Sequence, residues 1–182
     1  MIGKPATTIC CCTAAFMVPR MMLKIGSQGS AVRQLQRSLN ARFKQLGILS
    51  VFSLRVDGVF GVETLAAVKY LQCVCGLPVN GRVDNGTGAF ITRGGAGLER
   101  LYMGSRGTAV IAVQRTLRHH YIDLPTEGRF DALTEQGVRI YQQQMELVAD
   151  GVVGPQTWER VVRSRLDGLP CLALRPNLYP ET

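Results

Sequence analysis

One phrase, used twice, constrains this chain more than any other feature. Asp57–Val68 reads DGVFGVETLAAV, and Asp150–Val161 reads DGVVGPQTWERV. Self-comparison extends the match. Gly26, Gly29, Val32, Gln36, Arg37 and Leu39 return 78 residues later as Gly104, Gly107, Val110, Gln114, Arg115 and Leu117. Gly58, Phe60, Thr64, Val68, Gln72, Gly81 and Thr87 return 70 residues later as Gly128, Phe130, Thr134, Val138, Gln142, Gly151 and Thr157. The first copy therefore holds eight extra residues between Asn40 and Val56. A tandem duplication of this kind must fold into two look-alike units.

Periodicity identifies the units as helical. Val32, Leu35 and Leu39 are spaced i, i+3 and i+7, as are Val110, Val113 and Leu117, which is one face of a helix. A second helix is expected over residues 62–74, with its partner over 132–145 and a short third helix starting at Pro155. Proline suits a first helical position, where its missing N–H would be unpaired anyway. Ser30 and Thr108 are expected to cap the first helices with their hydroxyls.

The repeated phrase is a turn that launches a helix, and it occurs four times. Asp57-Gly58 and Asp150-Gly151 head the intact versions; Asn80-Gly81 and Glu127-Gly128 head the altered ones. The glycine common to all four implies backbone with φ > 0. The apolar residue two later plugs the core. Where the altered versions lose their second glycine, Asp84 and Asp131 replace it, and Asp is a strong N-cap. Gly88 stands where the last copy has Trp158. A short third helix is expected in the first copy, with Phe90 taking over part of the packing.

These readings give an all-α fold of two tandem three-helix bundles joined by a Gly-rich linker. The expected layout is an N-terminal arm or weak signal segment (1–22), module 1 (23–92), module 2 (98–165) and a Pro/Leu-rich tail (166–182). Gly94, Gly95 and Gly97 are expected to make the linker flexible.

The spaced residues L-x-x-G-S-x-G-x-x-V-x-x-L-Q-x-x-L, D-G-x-F-G-x-x-T-x-x-A-V-x-x-x-Q and L-x-x-D-G-x-V-G-P-x-T-W resemble the small three-helix peptidoglycan-binding domain. Both copies carry the pattern, over about Leu23–Ile91 and Leu101–Val161. The resemblance implies a non-catalytic binding protein whose ligand is peptidoglycan or another anionic wall polymer. On this reading Asp57, Gly58, Phe60, Gln72, Arg129, Gln142, Asp150, Gly151 and Trp158 are the candidate ligand-binding residues. Several have a second reading: Trp158 as core, Asp57 and Asp150 as turn residues, and the glutamines as bridges to buried backbone.

Charge agrees with an anionic partner. The net charge is +8, and residues 23–92 carry eight Lys/Arg against three Asp/Glu, which favours anionic ligands. There is no dense basic run and no basic stripe interleaved with aromatics, so nucleic acid is not an expected partner. The two histidines, His119 and His120, are adjacent, and the six cysteines lack paired CxxC spacing. No metal site and no cofactor are expected. Cys10–Cys12 are adjacent and Cys73 and Cys75 lie one residue apart, which argues against a disulfide framework.

No His-x-x-Glu cluster, Cys/His pair or separate domain offering two carboxylates is present, so the chain is read as not an enzyme. Ile9–Val18 is too short to span a bilayer. It reads as an export signal or as a retained arm. The first places the protein in the cell envelope, the second in the cytoplasm. The tail, with Leu166, Leu169, Leu172, Leu174, Leu178 and Tyr179 among prolines, reads as an extended apolar strap onto a protein partner. It motivates an alternative function: a docking subunit of a larger assembly that reuses the fold.

Overall fold

A computed structural model describes residues 22–48, 53–120, 122–167 and 171. Six α-helices make up the described fold: α1 (Ser30–Leu46), α2 (Val62–Val74), α3 (Asn85–Arg93), α4 (Thr108–His119), α5 (Ala132–Gln144) and α6 (Pro155–Asp167). Among the described residues there is no strand beyond isolated bridges, and no helix is long and apolar enough to cross a membrane.

The two copies repeat one plan. A short segment ahead of the first helix pairs with both glycine turns of its unit. In the first copy Gly29 N–H donates to the Gly58 carbonyl (2.9 Å) and Val83 N–H to Leu23 (2.8 Å). In the second, Gly107 N–H donates to Gly128 (2.9 Å), while Leu101 and Val153 exchange bonds of 3.2 and 2.9 Å. Five of the eight extra residues of the first copy lengthen its first helix: α1 has 17 residues and α4 has 12. Asn40 then fastens the connection, its side chain bonding both the N–H and the C=O of Leu54 (2.9 and 2.8 Å).

The caps of α1 and α4 lie one residue earlier than expected. Gly29 (φ 108°) and Gly107 (φ 114°) are the N-caps, and Ser30 and Thr108 are already helical. The pairing of each glycine with its turn fixes a positive φ there, so the hydroxyl next door cannot take the cap position. Asp84 and Asp131 cap α3 and α5 as expected, accepting from Thr87 N–H (2.8 Å) and Thr134 N–H (2.9 Å). Helix α3 is short as expected, with nine residues. The helix that starts at Pro155 runs for thirteen, as long as α2 and α5, and is not the short one expected. Phe90 is fully buried, and the Arg42 guanidinium lies 5.3 Å above its ring.

Two apolar clusters form the core. The first gathers Val32, Leu39, Phe43, Phe60, Val68, Leu71, Val83 and Phe90; the second gathers Val110, Val113, Leu117, Phe130, Val138, Tyr141, Val153 and Trp158. Helix α6 serves both. Trp158 and Val161 enter the second cluster, while Val162 and Leu166 enter the first.

That sharing overturns the flexible linker. Gly94–Gly97 is a 3-10 turn packed on α6, and Gly94 and Gly95 are buried. Gly95 N–H donates to Glu159 Oε1 at 2.8 Å. A Cβ on Gly95 would collide with the Pro155 carbonyl, and one on Gly97 with the backbone of Ala89. Here the glycines permit close approach of backbones, not freedom of motion.

The cysteine expectation is also corrected. Cys73, at the end of α2, is bonded to Cys171, 98 residues away. Bridging depends on proximity in space, and the docking of α6 on the first copy brings the two together. Arg165 reinforces the seam, donating to Val74 C=O (2.9 Å), Cys73 C=O (2.8 Å) and Ala112 C=O (3.3 Å). Burial holds its pKa below the usual arginine range. Gly76 packs against Ala112 of α4 on the same seam. Residues 1–21 lie outside the described residues, as does the tail apart from Leu166, Asp167 and Cys171.

Candidate functional site

Each of the four glycine turns is gripped by a glutamine from the preceding helix. Gln36 Oε1 accepts from Gly58 N–H at 2.9 Å, while its Nε2 donates to Asp57 Oδ1 (2.9 Å), Val59 C=O (3.1 Å) and Thr64 Oγ1 (3.3 Å). Gln72 repeats the pattern on Gly81, Asn80, Arg82 C=O and Thr87, and Gln142 on Gly151, Asp150, Val152 C=O and Thr157. Gln114 binds Gly128, Arg129 C=O and Thr134. Glu127 stands where the other turns have Asp or Asn. A primary amide suits this task because it accepts on one atom and donates twice on the other.

These contacts show where the sequence-predicted site residues lie. Gln72 and Gln142 are buried, with their hydrogen-bonding capacity used inside the protein. Phe60 is core. Trp158, 1% exposed, donates its indole N–H to Glu99 C=O at 2.7 Å. Of its two readings, core is the one found, and a ring so enclosed offers no stacking face. Gly58 (φ 79°) and Gly151 (φ 76°) are buried turn glycines. Over three of the four turn glycines lies a basic side chain from the preceding helix: Arg33, Lys69 or Arg139; Ile111 covers Gly128.

Asp57 and Asp150 are exposed, but their oxygens close the turns. Asp57 Oδ1 accepts from Val59 N–H at 2.8 Å, and Asp150 Oδ1 from Val152 N–H at 2.9 Å. The Gln36 amide is the main influence holding the Asp57 carboxyl below the usual carboxylate range; for Asp150 it is the Val152 N–H. Arg129 is exposed, and only its backbone joins a latch.

The accessible chemistry lies elsewhere. An open depression runs along the outer face of α1, lined by Ser30, Arg33, Gln34, Arg37, Ser38 and Ala41. Arg33 and Arg37 sit there at i, i+4 and are exposed; Arg33 also covers the Gly58 turn and donates to Val56 C=O at 3.4 Å. The sequence signal was available: basic residues at helical spacing on the face that Val32, Leu35 and Leu39 do not occupy. Met22, Ile25, Val62, Tyr102, Met103 and Leu133 are also exposed.

The histidines sit at the end of α4. His120 Nε2 and Tyr141 Oη each lie 3.1 Å from Ser164 Oγ, tying α4, α5 and α6 together. Burial lowers the His120 pKa and raises that of Tyr141. Among the described residues no three His, Cys, Asp or Glu side chains gather as a metal site.

A family model described as "Putative peptidoglycan binding domain" matches residues 28–91 and 106–161, together more than half of the chain. A crystal structure of a peptidoglycan-binding protein from Clostridioides difficile, in complex with glutamine hydroxamate, shares 28% identity, with a TM-score of 0.34. The match covers 35% of this chain and 40% of that one. No curated protein matches the chain. With matches on both copies of one helical plan, the chain belongs to the peptidoglycan-binding domain family.

Proposed function

We propose that this protein is a non-catalytic binder of bacterial cell-wall peptidoglycan, engaging the polymer through two modules held as one body. The observation that carries the reading is the double family match, on two copies that keep the same latched turns. The non-catalytic part is supported by how the carboxylates are used. Asp57, Asp84, Asp131 and Asp150 each accept backbone N–H groups, and Glu159 accepts from Gly95. In these roles they serve the fold.

Binding is assigned to exposed cationic side chains, above all Arg33 and Arg37 on α1. Arginine matches carboxylates well, and wall stem peptides carry carboxylates. The net charge of +8 adds long-range attraction. Fusion of the modules matters energetically: two weak sites held at fixed spacing gain by effective concentration only where the polymer spans both. The Cys73–Cys171 disulfide supports an oxidising, extracytoplasmic setting.

Co-sedimentation with purified insoluble peptidoglycan across a salt series tests the proposal. Pelleting at low salt that weakens as salt rises is expected. Protein that stays in the supernatant at low salt refutes it.

A further inference from the structure

The second copy exposes an aromatic ring where the first has Lys24. Residues 101–107 thread between the two glycine turns of their own module. On one side Leu101 pairs with Val153. On the other, Gly104 N–H donates to Phe130 C=O (2.8 Å), Phe130 N–H to Ser105 C=O (2.9 Å), and Gly107 N–H to Gly128 C=O (2.9 Å). The N–H of Tyr102 itself is taken by Ser105 Oγ at 3.1 Å. The backbone that carries Tyr102 is thus fixed before a ligand arrives.

Exposure rises abruptly along this ridge. Leu101 is buried, while Tyr102 is 58% exposed and Met103 48%. Leu133, 57% exposed, lies in the first turn of α5 beyond Phe130. Arg106 and Arg129 are bridge partners beside the ridge, and both are exposed. One exposed apolar residue on a protein surface is ordinary. Tyr102 and Met103 stand together on hydrogen-bonded backbone beside Arg106 and Arg129, which combines apolar contact surface with a few orienting polar groups.

We propose that Tyr102, with Met103, Arg106 and Arg129, forms a saccharide platform. The ring face takes the C–H face of an amino-sugar residue of the wall glycan, and the two arginines take the carboxylates that the polymer carries. Tyrosine supplies wide amphipathic contact area at low entropic cost. The platform rests on the wall-binding reading and assigns the sugar-stacking role to module 2. It takes the place, on an exposed surface, of the stacking role that Trp158 cannot fill from the core.

The test compares full-length wild type with Tyr102→Ala, Tyr102→Trp and Arg129→Gln. Each is titrated on insoluble peptidoglycan, with thermal unfolding and sedimentation velocity measured on the same samples. Tyr102→Ala should weaken binding by roughly 5- to 10-fold, with an unchanged melting temperature. Tyr102→Trp should bind at least as well as wild type. Arg129→Gln should weaken binding and flatten its salt dependence. Wild-type pelleting with Tyr102→Ala equal to it overturns the platform and leaves wall binding standing. Loss in Tyr102→Trp as large as in Tyr102→Ala also overturns it, since a stacking face would tolerate the larger ring. A self-associated wild type that becomes monomeric in Tyr102→Ala, with pelleting unchanged, assigns the patch to contact between copies instead. Wild type that fails to pellet removes the wall reading and the platform together.

Discussion

Gln142 spends both ends of its amide on one turn, and its side chain is closed off from water. Removing it strands the Gly151 N–H and the Thr157 hydroxyl. Leaving a buried polar group unpaired costs about 1–3 kcal/mol. Gln142→Leu should therefore lose about 3 kcal/mol of unfolding free energy, read from the urea midpoint at unchanged slope. Gln114→Leu should lose roughly 1 kcal/mol less, because Gln114 grips a turn headed by Glu127 without a carboxylate bond. The turn acids make a second prediction. Hydrogen bonds depress the folded pKa of Asp57 and Asp150. Their contribution is therefore present above the unfolded carboxylate pKa, roughly 4, and is lost as pH falls through the folded value. Asn80 fills the same role without charge, accepting from Arg82 N–H at 2.9 Å. The double variant Asp57→Asn/Asp150→Asn should thus keep its stability at pH 7 and lose less of it on acidification. A steeper acid loss than wild type, in denaturant titrations at stepped pH, would contradict this assignment.

At the scale of elements, identical residue types serve opposite purposes. Gly61 caps α2 with ordinary negative φ and open space around it, whereas Gly95 is wedged against α6. Gly61→Asp should be neutral or stabilising by a few tenths of a kcal/mol, since Asp84 and Asp131 do that task at the sister helices. Gly95→Ala should cost about 1–3 kcal/mol, the usual penalty for overpacking. Thermal melts of the two variants check both statements, and equal effects would mean that the linker is not packed. Helices and turns were legible in the sequence because their signals are local: the stripe of Val32, Leu35 and Leu39, the paired glycines, and Pro155 opening α6. The one-residue shift of the first caps was not, because Gly29 answers to Gly58, 29 residues away in the chain. The burial of Phe60, the plug two residues past Gly58, and of Trp158 agrees with their core readings, whereas spacing left Gln72 and Gln142 open between buried bridge and ligand contact.

Across the whole molecule, the two modules behave as one object because α6 belongs to both cores. Arg165 reaches Cys73 across 92 positions of sequence, and no local pattern encodes such a contact. The packed linker and the disulfide were missed for the same reason. Reduction of Cys73–Cys171, or Cys171→Ser, should lower stability by about 2–4 kcal/mol, since a long loop is released in the unfolded chain. Urea unfolding with and without reductant measures this, and no difference would mean that the bond does not constrain the fold. What the duplication did reveal was the family, since each copy repeats the whole pattern of glycines, apolar residues and glutamines.

Whether a rigid double module holds wall polymer without cutting it can be read in one tube. Oxidised full-length protein is incubated with purified insoluble peptidoglycan at low salt. Pelleted protein and released soluble fragments are then measured from the same sample. Saturable pelleting with no fragments above the protein-free control is expected. Protein left in the supernatant, or fragments that accumulate with time, would contradict it.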